Sequence, residues 1–402
     1  MSDVVTVEVD DFINATLAAC IEDIPLHITE AELSSLRTLF EHYNVSYEPQ
    51  PFEDILQNQK LLAHTFLSNS PPEFENRGFY VIDLGAVLTL VATWRKHMSF
   101  VEPFYNIACN PDVPLVRTLL ACGVKMRGRG SDSMNATLLL PPYSDAVDPS
   151  KHFLILTTVE SVVSAARYTD CRCVLRLEDE EGVENTLCLL HTATTQYGLQ
   201  IVGVCYHVGS QTNLAAHRHA LQRTRRVFDA ALELGHTMTF LDIGGGFNAA
   251  NVTTLGNPLK EVIEEMFSLD KVRVVASLGQ YFADPICVLI ASIVNKRVIG
   301  EYAEVQYDIF DGYHHSRESF TPLVSRSNAR SCSTTMFGPM IGYGGALGCI
   351  SQPRQRCEEM NVGDWVVVTH CGGYRTPPTP NEAAMVIRCV YVTTVPLLEM
   401  KP

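Results

Sequence analysis

Few residues of this chain are spaced for chemistry, and the mismatches exclude several classes of site. Cys171 and Cys173 are one residue apart, which on a strand points their thiols to opposite faces. The adjacent His314 and His315 meet the same objection in an extended segment. No C-x-x-C pair occurs among the thirteen cysteines, so no metal site is expected. Gly342-Tyr343-Gly344-Gly345, followed by Gly348, has the glycine density of a nucleotide loop, but no strand–loop–helix setting follows it and no Gly-Lys-Ser/Thr closes it. No G-x-S-x-G or metal-ligand helix supports a hydrolase. Gly244-Gly245-Gly246 is different. Such a run lets backbone N–H groups approach a phosphate, and it equally serves to turn a loop.

The bulk composition narrows the setting. A chain of 402 residues with 46% hydrophobic residues can bury two domains, or one large barrel with an appendage. No window of about 18 uninterrupted apolar residues is present, so no membrane-spanning helix is expected. The start, MSDVVTVEVDDF, lacks the basic and apolar regions of an export signal, which predicts a cytoplasmic protein with reduced thiols. The formal charge of −15 disfavours nucleic acid and anionic membranes as partners.

The elements that must position any site follow from periodicity. The segment ITEAELSSLRTLFEHY predicts a helix over 28–43. From Phe79, strand-length apolar runs (FYVIDLG, PFYNIACN, HFLILT, CRCVLRL, QIVGVCYHVGS and TFLDIGGGF) alternate with helical runs (LVRTLLACG, VESVVSAARY, AAHRHALQRTRRVFDAALELG and NPLKEVIEEMF). That alternation predicts a parallel β/α architecture, and its repetition over about 200 residues favours a barrel. After about Pro285 the runs VLIASIVNKRVIG, EVQYDIFDGY, DWVVVTHCGGY and AAMVIRCVYVTTV predict an all-β module. NARSCSTTMFGPMIGYGGALG is expected to be a long functional loop.

In order along the chain, FYVIDLG, PFYNIACN, YHVGSQ, LDIGGGF, SLGQYF, FDGY, FGPM and GGYRT resemble the landmarks of the eukaryotic ornithine decarboxylases and their antizyme-inhibitor relatives, the group IV pyridoxal-phosphate decarboxylases. The resemblance runs from about Phe79 to about residue 395. It implies a (β/α)8 barrel of the alanine racemase-like type plus a C-terminal β-domain. The expected boundaries are 1–79 (a segment contributing to the β-domain), 80–284 (the barrel) and 285–402 (the β-domain). In that family active sites form across a head-to-tail dimer.

The resemblance also identifies what is missing. The family's cofactor lysine falls at Ala108, within Asn106-Ile107-Ala108-Cys109-Asn110, and a methyl group cannot form a Schiff base. The family's E-P-G-R is Ser277-Leu278-Gly279-Gln280 here, so the ring-nitrogen carboxylate becomes Ser277 and the phosphate arginine becomes Gln280. The family's G-P-T-C-D is Gly338-Pro339-Met340-Ile341-Gly342, which replaces a catalytic cysteine by Ile341 and a substrate carboxylate by Gly342. Lys125 stands at the position of a family aspartate. His207, Ser210, Gly244, Gly245, Gly246, Tyr374 and Arg176 match cofactor-binding positions, and Asp311 matches a substrate-binding one.

The expectation is therefore a catalytically inactive homologue. It needs no cofactor, or binds pyridoxal phosphate only weakly and non-covalently, and regulates polyamine synthesis through antizyme or an active decarboxylase paralogue, as a homo- or heterodimer. The family's antizyme-binding stretch corresponds to 141–168, where Lys151 and Arg167 are the only lysine and arginine. The alternative is an active decarboxylase using a displaced lysine such as Lys125, set in a neighbouring strand about 4.8 Å away.

Overall fold

A computed structural model describes residues 4–7, 26–48, 78–129, 137–140, 153–168, 172–178, 182–209, 212–300, 304–309, 320–323, 325–326, 329–341, 347–349, 355–374 and 388–397. The chain divides into two compact units. One comprises residues 1–89, 109–118 and 282–402, and the other residues 90–108 and 119–281.

The second of these is a closed barrel. Its strands are β1 (Glu102–Asn106), β2 (Lys125–Arg129), β3 (Thr137–Leu140), β4 (Phe153–Leu156), β5 (Arg172–Leu177), β6 (Gln200–Tyr206), β7 (Phe240–Asp242) and β8 (Arg273–Leu278). They close in the order β6–β7–β8–β1–β2–β3–β4–β5. Neighbours pair in parallel except at β3, which runs antiparallel to both β2 and β4. The barrel of the sequence reading is present, with one strand reversed. The run FYVIDLG, which the alternation groups with the barrel strands, is not one of them. Phe79–Asp83 lies in the other unit, antiparallel to Cys287–Ile299 and parallel to Arg388–Thr393.

The two-residue period of the strands fills the lumen. Phe104, Phe153, Ile155, Val174, Val202, Cys205, Phe240 and Val275 form one buried cluster, and the rings of Phe153 and Phe240 stack at 4.4 Å. Helices α1 (Val159–Ala165), α2 (Gly182–Thr195), α3 (Leu214–Glu233) and α4 (Ala249–Met266) follow β4 to β7. The sequence predicts α4 only from Asn257 on, because Gly256 interrupts the helical pattern before it. The helix starts earlier because Asn248 and Asn251 form a reciprocal capping box. Gly256 is required there, since a Cβ would collide with the carbonyl of His97.

The other unit is mainly sheet. Its strands run in the order Leu347–Cys349, Ser331–Ile341, Glu304–Ile309, Cys287–Ile299, Phe79–Asp83, Arg388–Thr393 and Ser46–Tyr47. Phe79, Val81, Val288, Ile290, Val367, Val390 and Val392 form its core cluster. The expected N-terminal helix is Glu30–His42, closed by a Thr29–Glu32 capping box. The segment expected as a long loop is instead an eleven-residue strand, Ser331–Ile341. Its middle residues Thr334, Thr335 and Met336 are buried, so sheet pairing overrides its glycine-rich end. Among the described residues no helix is long and apolar enough to cross a membrane.

His217 on α3 is fully buried and links Tyr206 Oη (3.0 Å from Nδ1) to Thr212 Oγ1 (2.6 Å from Nε2). Burial pushes its imidazole down to about 4 from the ordinary 6.5, with His207 adding to the shift. As pH falls below about 6.5 the unfolded imidazole takes up a proton that the folded one refuses. Stability should therefore drop by about 3 kcal/mol between neutral pH and pH about 4. Urea unfolding at stepped pH tests this, and His217→Phe should flatten the profile in that window.

Candidate functional site

At the C-terminal end of the barrel lumen, charge replaces the apolar filling. The two-residue period continues Lys125 to Arg127 on β2, Val275 to Ser277 on β8 and Val174 to Arg176 on β5. Arg127 Nη1 donates to Asp242 Oδ2 at 2.7 Å, and the same nitrogen reaches Ser277 Oγ. Ser277 Oγ in turn donates to Asp242 Oδ2 at 2.9 Å. Because β1 separates β2 from β8, the contact between Arg127 and Asp242 crosses the lumen. Both partners are buried, Arg127 being 6% and Asp242 1% exposed.

The glycine run lies directly above this pair. Gly244 (φ +75°) and Gly246 (φ +92°) occupy left-handed backbone that disfavours any side chain. Cβ atoms on Gly244, Gly245 and Gly246 would collide with the carbonyls of Tyr206, Ser277 and Gly209 respectively. The glycines are thus required by backbone packing alone. Two of their donors are already engaged. Gly244 N–H donates to Asp242 Oδ1 at 2.9 Å, and Gly245 N–H to His207 Nδ1 at 3.2 Å. Burial and then the field of Arg176 hold the His207 imidazole below its ordinary value, which keeps Nδ1 an acceptor. Cys205 sits beneath, its thiol pushed up to about 11 by burial and then by Asp242, so it is inert as a nucleophile near neutral pH.

Of the residues singled out in the sequence, His207, Arg176, Gly244, Gly245, Gly246 and Ser277 come together at this end of the barrel. Ala108 is exposed in the turn after β1, its N–H donating to Asn106 Oδ1 at 3.2 Å. Gln280 opens the short helix Gln280–Ala283 that follows β8. Tyr374 belongs to the other unit, where it adopts a left-handed backbone (φ 55°) and its N–H donates to Cys109 O at 2.6 Å. Ile341 ends the strand Ser331–Ile341. Ser210, Asp311 and Gly342 lie outside the described residues.

Lys125 requires a correction. It opens β2 at the N-terminal end of the barrel, level with Phe104 and paired with Glu102. Burial raises the Glu102 carboxyl, but Lys125 and Arg273 outweigh this and hold it below its ordinary value. Ala108 lies four residues beyond Phe104, about 13 Å away along the strand direction at ~3.3 Å per residue. Lys125 therefore faces the opposite rim. The strand register carries it there, and its neighbour two residues on, Arg127, is the cation at the C-terminal end. Arg127 and Asp242 were not singled out in the sequence. For Asp242 the available signal was a carboxylate ending an otherwise apolar strand, whereas Arg127 stands between two other basic residues of β2, Lys125 and Arg129, and carries no such contrast.

Among the described residues no cluster of His, Cys, Asp and Glu could hold a metal ion.

A barrel of this kind with a companion sheet is the fold of the pyridoxal-phosphate decarboxylases, of the alanine racemase-like type. The solved arginine decarboxylase of Paramecium bursaria Chlorella virus, bound to agmatine, superposes with a TM-score of 0.65 over 83% of this chain and all of that one, at 20% identity. Ornithine decarboxylase from Entamoeba histolytica does so with a TM-score of 0.60 over 85% of this chain and all of that one, at 21% identity. Residues 182–284 match the model of the pyridoxal-dependent decarboxylase pyridoxal-binding domain. Chloroplastic ornithine decarboxylase of Nicotiana glutinosa is 28% identical over 352 residues, covering 75% of this chain and 80% of that protein. Ornithine decarboxylase of Cricetulus griseus is 26% identical over 352 residues, covering 74% and 76%. The chain is thus similar to ornithine decarboxylases, and its residues 182–284 to the pyridoxal-binding domain of the pyridoxal-dependent decarboxylases.

Removing either member of the lumen pair leaves a buried charge uncompensated. Arg127→Met and Asp242→Leu should each cost about 3–5 kcal/mol, whereas the double change Arg127→Met/Asp242→Leu should cost much less than their sum. Urea unfolding of the three variants measures this. Additive losses would mean that the two side chains do not interact.

Proposed function

We propose that this chain is a non-catalytic member of the decarboxylase family that regulates polyamine synthesis in the cytoplasm by binding a protein, either antizyme or an active decarboxylase paralogue. The reading is carried by one observation. Among the described residues, the one carboxylate in the cross-lumen network at the C-terminal end of the barrel, Asp242, is spent on Arg127, Ser277 and Gly244.

A lysine-held pyridoxal phosphate does not fit these residues. Ala108 has no amine, and the one lysine on a described barrel strand, Lys125, is paired at the opposite rim. Protonating a pyridine nitrogen calls for an acid beside it. Ser277 cannot supply that charge, and the neighbouring Arg127 guanidinium opposes it electrostatically. Two of the three glycine donors that would meet a phosphate already have acceptors within the protein. No catalytic step is derived through that group.

Other observations fit a binding role. No disulfide joins the ten cysteines whose side chains are described, in keeping with a reducing compartment. The acidic balance of the sequence suits a basic protein partner over nucleic acid or membrane. A homo- or heterodimer built on the family's mode of association would give a paralogue its docking face.

Incubation with pyridoxal phosphate followed by borohydride should leave the protein mass unchanged, and purified chain should release no carbon dioxide from ornithine. Co-precipitation should recover antizyme or an active ornithine decarboxylase. Turnover of ornithine, or a borohydride-fixed adduct on Lys125, would overturn the non-catalytic reading. Failure to capture either protein would remove the assigned partner.

A further inference from the structure

The strands Ser331–Ile341 and Gln355–Glu358 run antiparallel, with Ser331 opposite Glu358, Cys332 opposite Cys357 and Ser333 opposite Arg356. Among the described strands, Cys332 and Cys357 are the one pair of cysteines in direct register. Directly opposed residues send their side chains to the same face of the sheet. Their Cα atoms stand about 4.5 or 5.5 Å apart, according to their place in the hydrogen-bond ladder, and a disulfide spans about 4.4–6.8 Å. The register therefore places these two cysteines within bonding reach with little movement of the backbone.

Their side chains lie close together as well. Cys332 Sγ donates to the Cys357 carbonyl at 3.6 Å and lies 3.3 Å from Thr334 Oγ1. Burial and then the field of Cys332 push the Cys357 thiol up to about 11. Burial also raises the Tyr307 phenol, and Cys332, Glu359 and Cys357 add to that shift. The two sulfurs thus share one buried face beside Tyr307, with Cys332 6% and Cys357 8% exposed. A buried thiol with so little thiolate reacts slowly while the sheet is closed. The sheet's own edge supplies the opening. Gln355–Glu358 pairs with Ser331–Ile341 alone among the described strands, and a strand held on one side opens locally more readily than a central one.

We propose that Cys332 and Cys357 form an oxidant-triggered disulfide that staples the edge strand Gln355–Glu358 to Ser331–Ile341. With hydrogen peroxide as the oxidant, one cysteine sulfur attacks a peroxide oxygen. The O–O bond breaks, water leaves and a sulfenic acid remains. The second sulfur attacks the sulfenic sulfur, the S–S bond forms, the S–O bond breaks and a second water leaves. Two thiols have then lost two electrons and two protons, and the peroxide has become two waters. Thiol reductants reverse the bond by exchange, so in a reducing compartment the pair rests as two thiols. The device is separate from the protein-partner reading and stands or falls without it.

Peroxide treatment of the full chain tests the proposal. Remaining thiols are alkylated in denaturant and the peptides are mapped by mass spectrometry with and without dithiothreitol. A peptide pair joined through Cys332 and Cys357 should appear, about 2 Da lighter than the sum of its parts, and should vanish on reduction. Backbone amides of residues 355–358 should exchange with deuterium oxide at least tenfold more slowly in the oxidised chain. Cys332→Ser and Cys357→Ser should each abolish the linked pair and the slowed exchange. Cys188→Ser, which removes an exposed thiol on α2, should keep both. Melting curves of the reduced variants check that each is folded. Alkylation of both thiols after excess peroxide, a sulfinic acid on either without the link, or a bond from either to another cysteine would overturn the switch. Loss of the link in a folded Cys188→Ser variant, or equal amide exchange in the oxidised and reduced chains, would do so as well.

Discussion

The hydrogen-bonding capacity of one buried carboxylate organises the C-terminal half of the barrel. Asp242 gives one oxygen to the Gly244 N–H and the other to Arg127 and Ser277. Strands β2, β7 and β8 and the glycine turn are thereby tied to a single side chain. An ion pair at this depth is stable only when its geometry offsets the loss of water around both charges, and Ser277 completes that geometry. The neighbours follow from it. Gly245 then takes His207 as its acceptor, and the turn adopts left-handed backbone that only glycines hold without strain.

Along its axis the lumen is layered by charge. The N-terminal rim closes on itself, with Glu102 accepting from both Lys125 and Arg273. The middle is apolar, with Phe153 and Phe240 stacked. The C-terminal layer is polar and internally satisfied at its centre.

Much of this was legible in the residues. The β/α alternation gave the barrel because apolar runs of strand length and amphipathic runs of helix length have different periods. The helix at Glu30–His42 was legible as a run over 28–43, and the Thr29–Glu32 capping box sets its start. What escaped depended on tertiary partners. FYVIDLG has the same apolar character whichever sheet it joins, and only its pairing with Cys287–Ile299 assigns it. The start of α4 was hidden by Gly256, and the strand Ser331–Ile341 by the glycine-rich sequence that follows it. At the site, the resemblance located Ala108, Ser277 and the glycine run. It could not reveal that Arg127 fills the lumen, because a cation in a short strand looks the same facing in or out. Lys125, given weight as a displaced amine, differs from Arg127 by two residues in sequence and by one end of the barrel in space.

The reversed strand β3 has an effect on what the rim can recruit. In a fully parallel barrel every strand delivers its last residue, and the loop after it, to the same face, giving eight places from which side chains can be supplied. Here Thr137–Leu140 runs the other way, so Leu140 leaves from the opposite face and Thr137 enters at the ligand-binding one. The antiparallel pairing of β2, β3 and β4 includes the strand carrying Arg127, and that side of the rim has one strand C-terminus fewer to contribute. Strands β5 to β8 run parallel, and each delivers its last residue to the same rim.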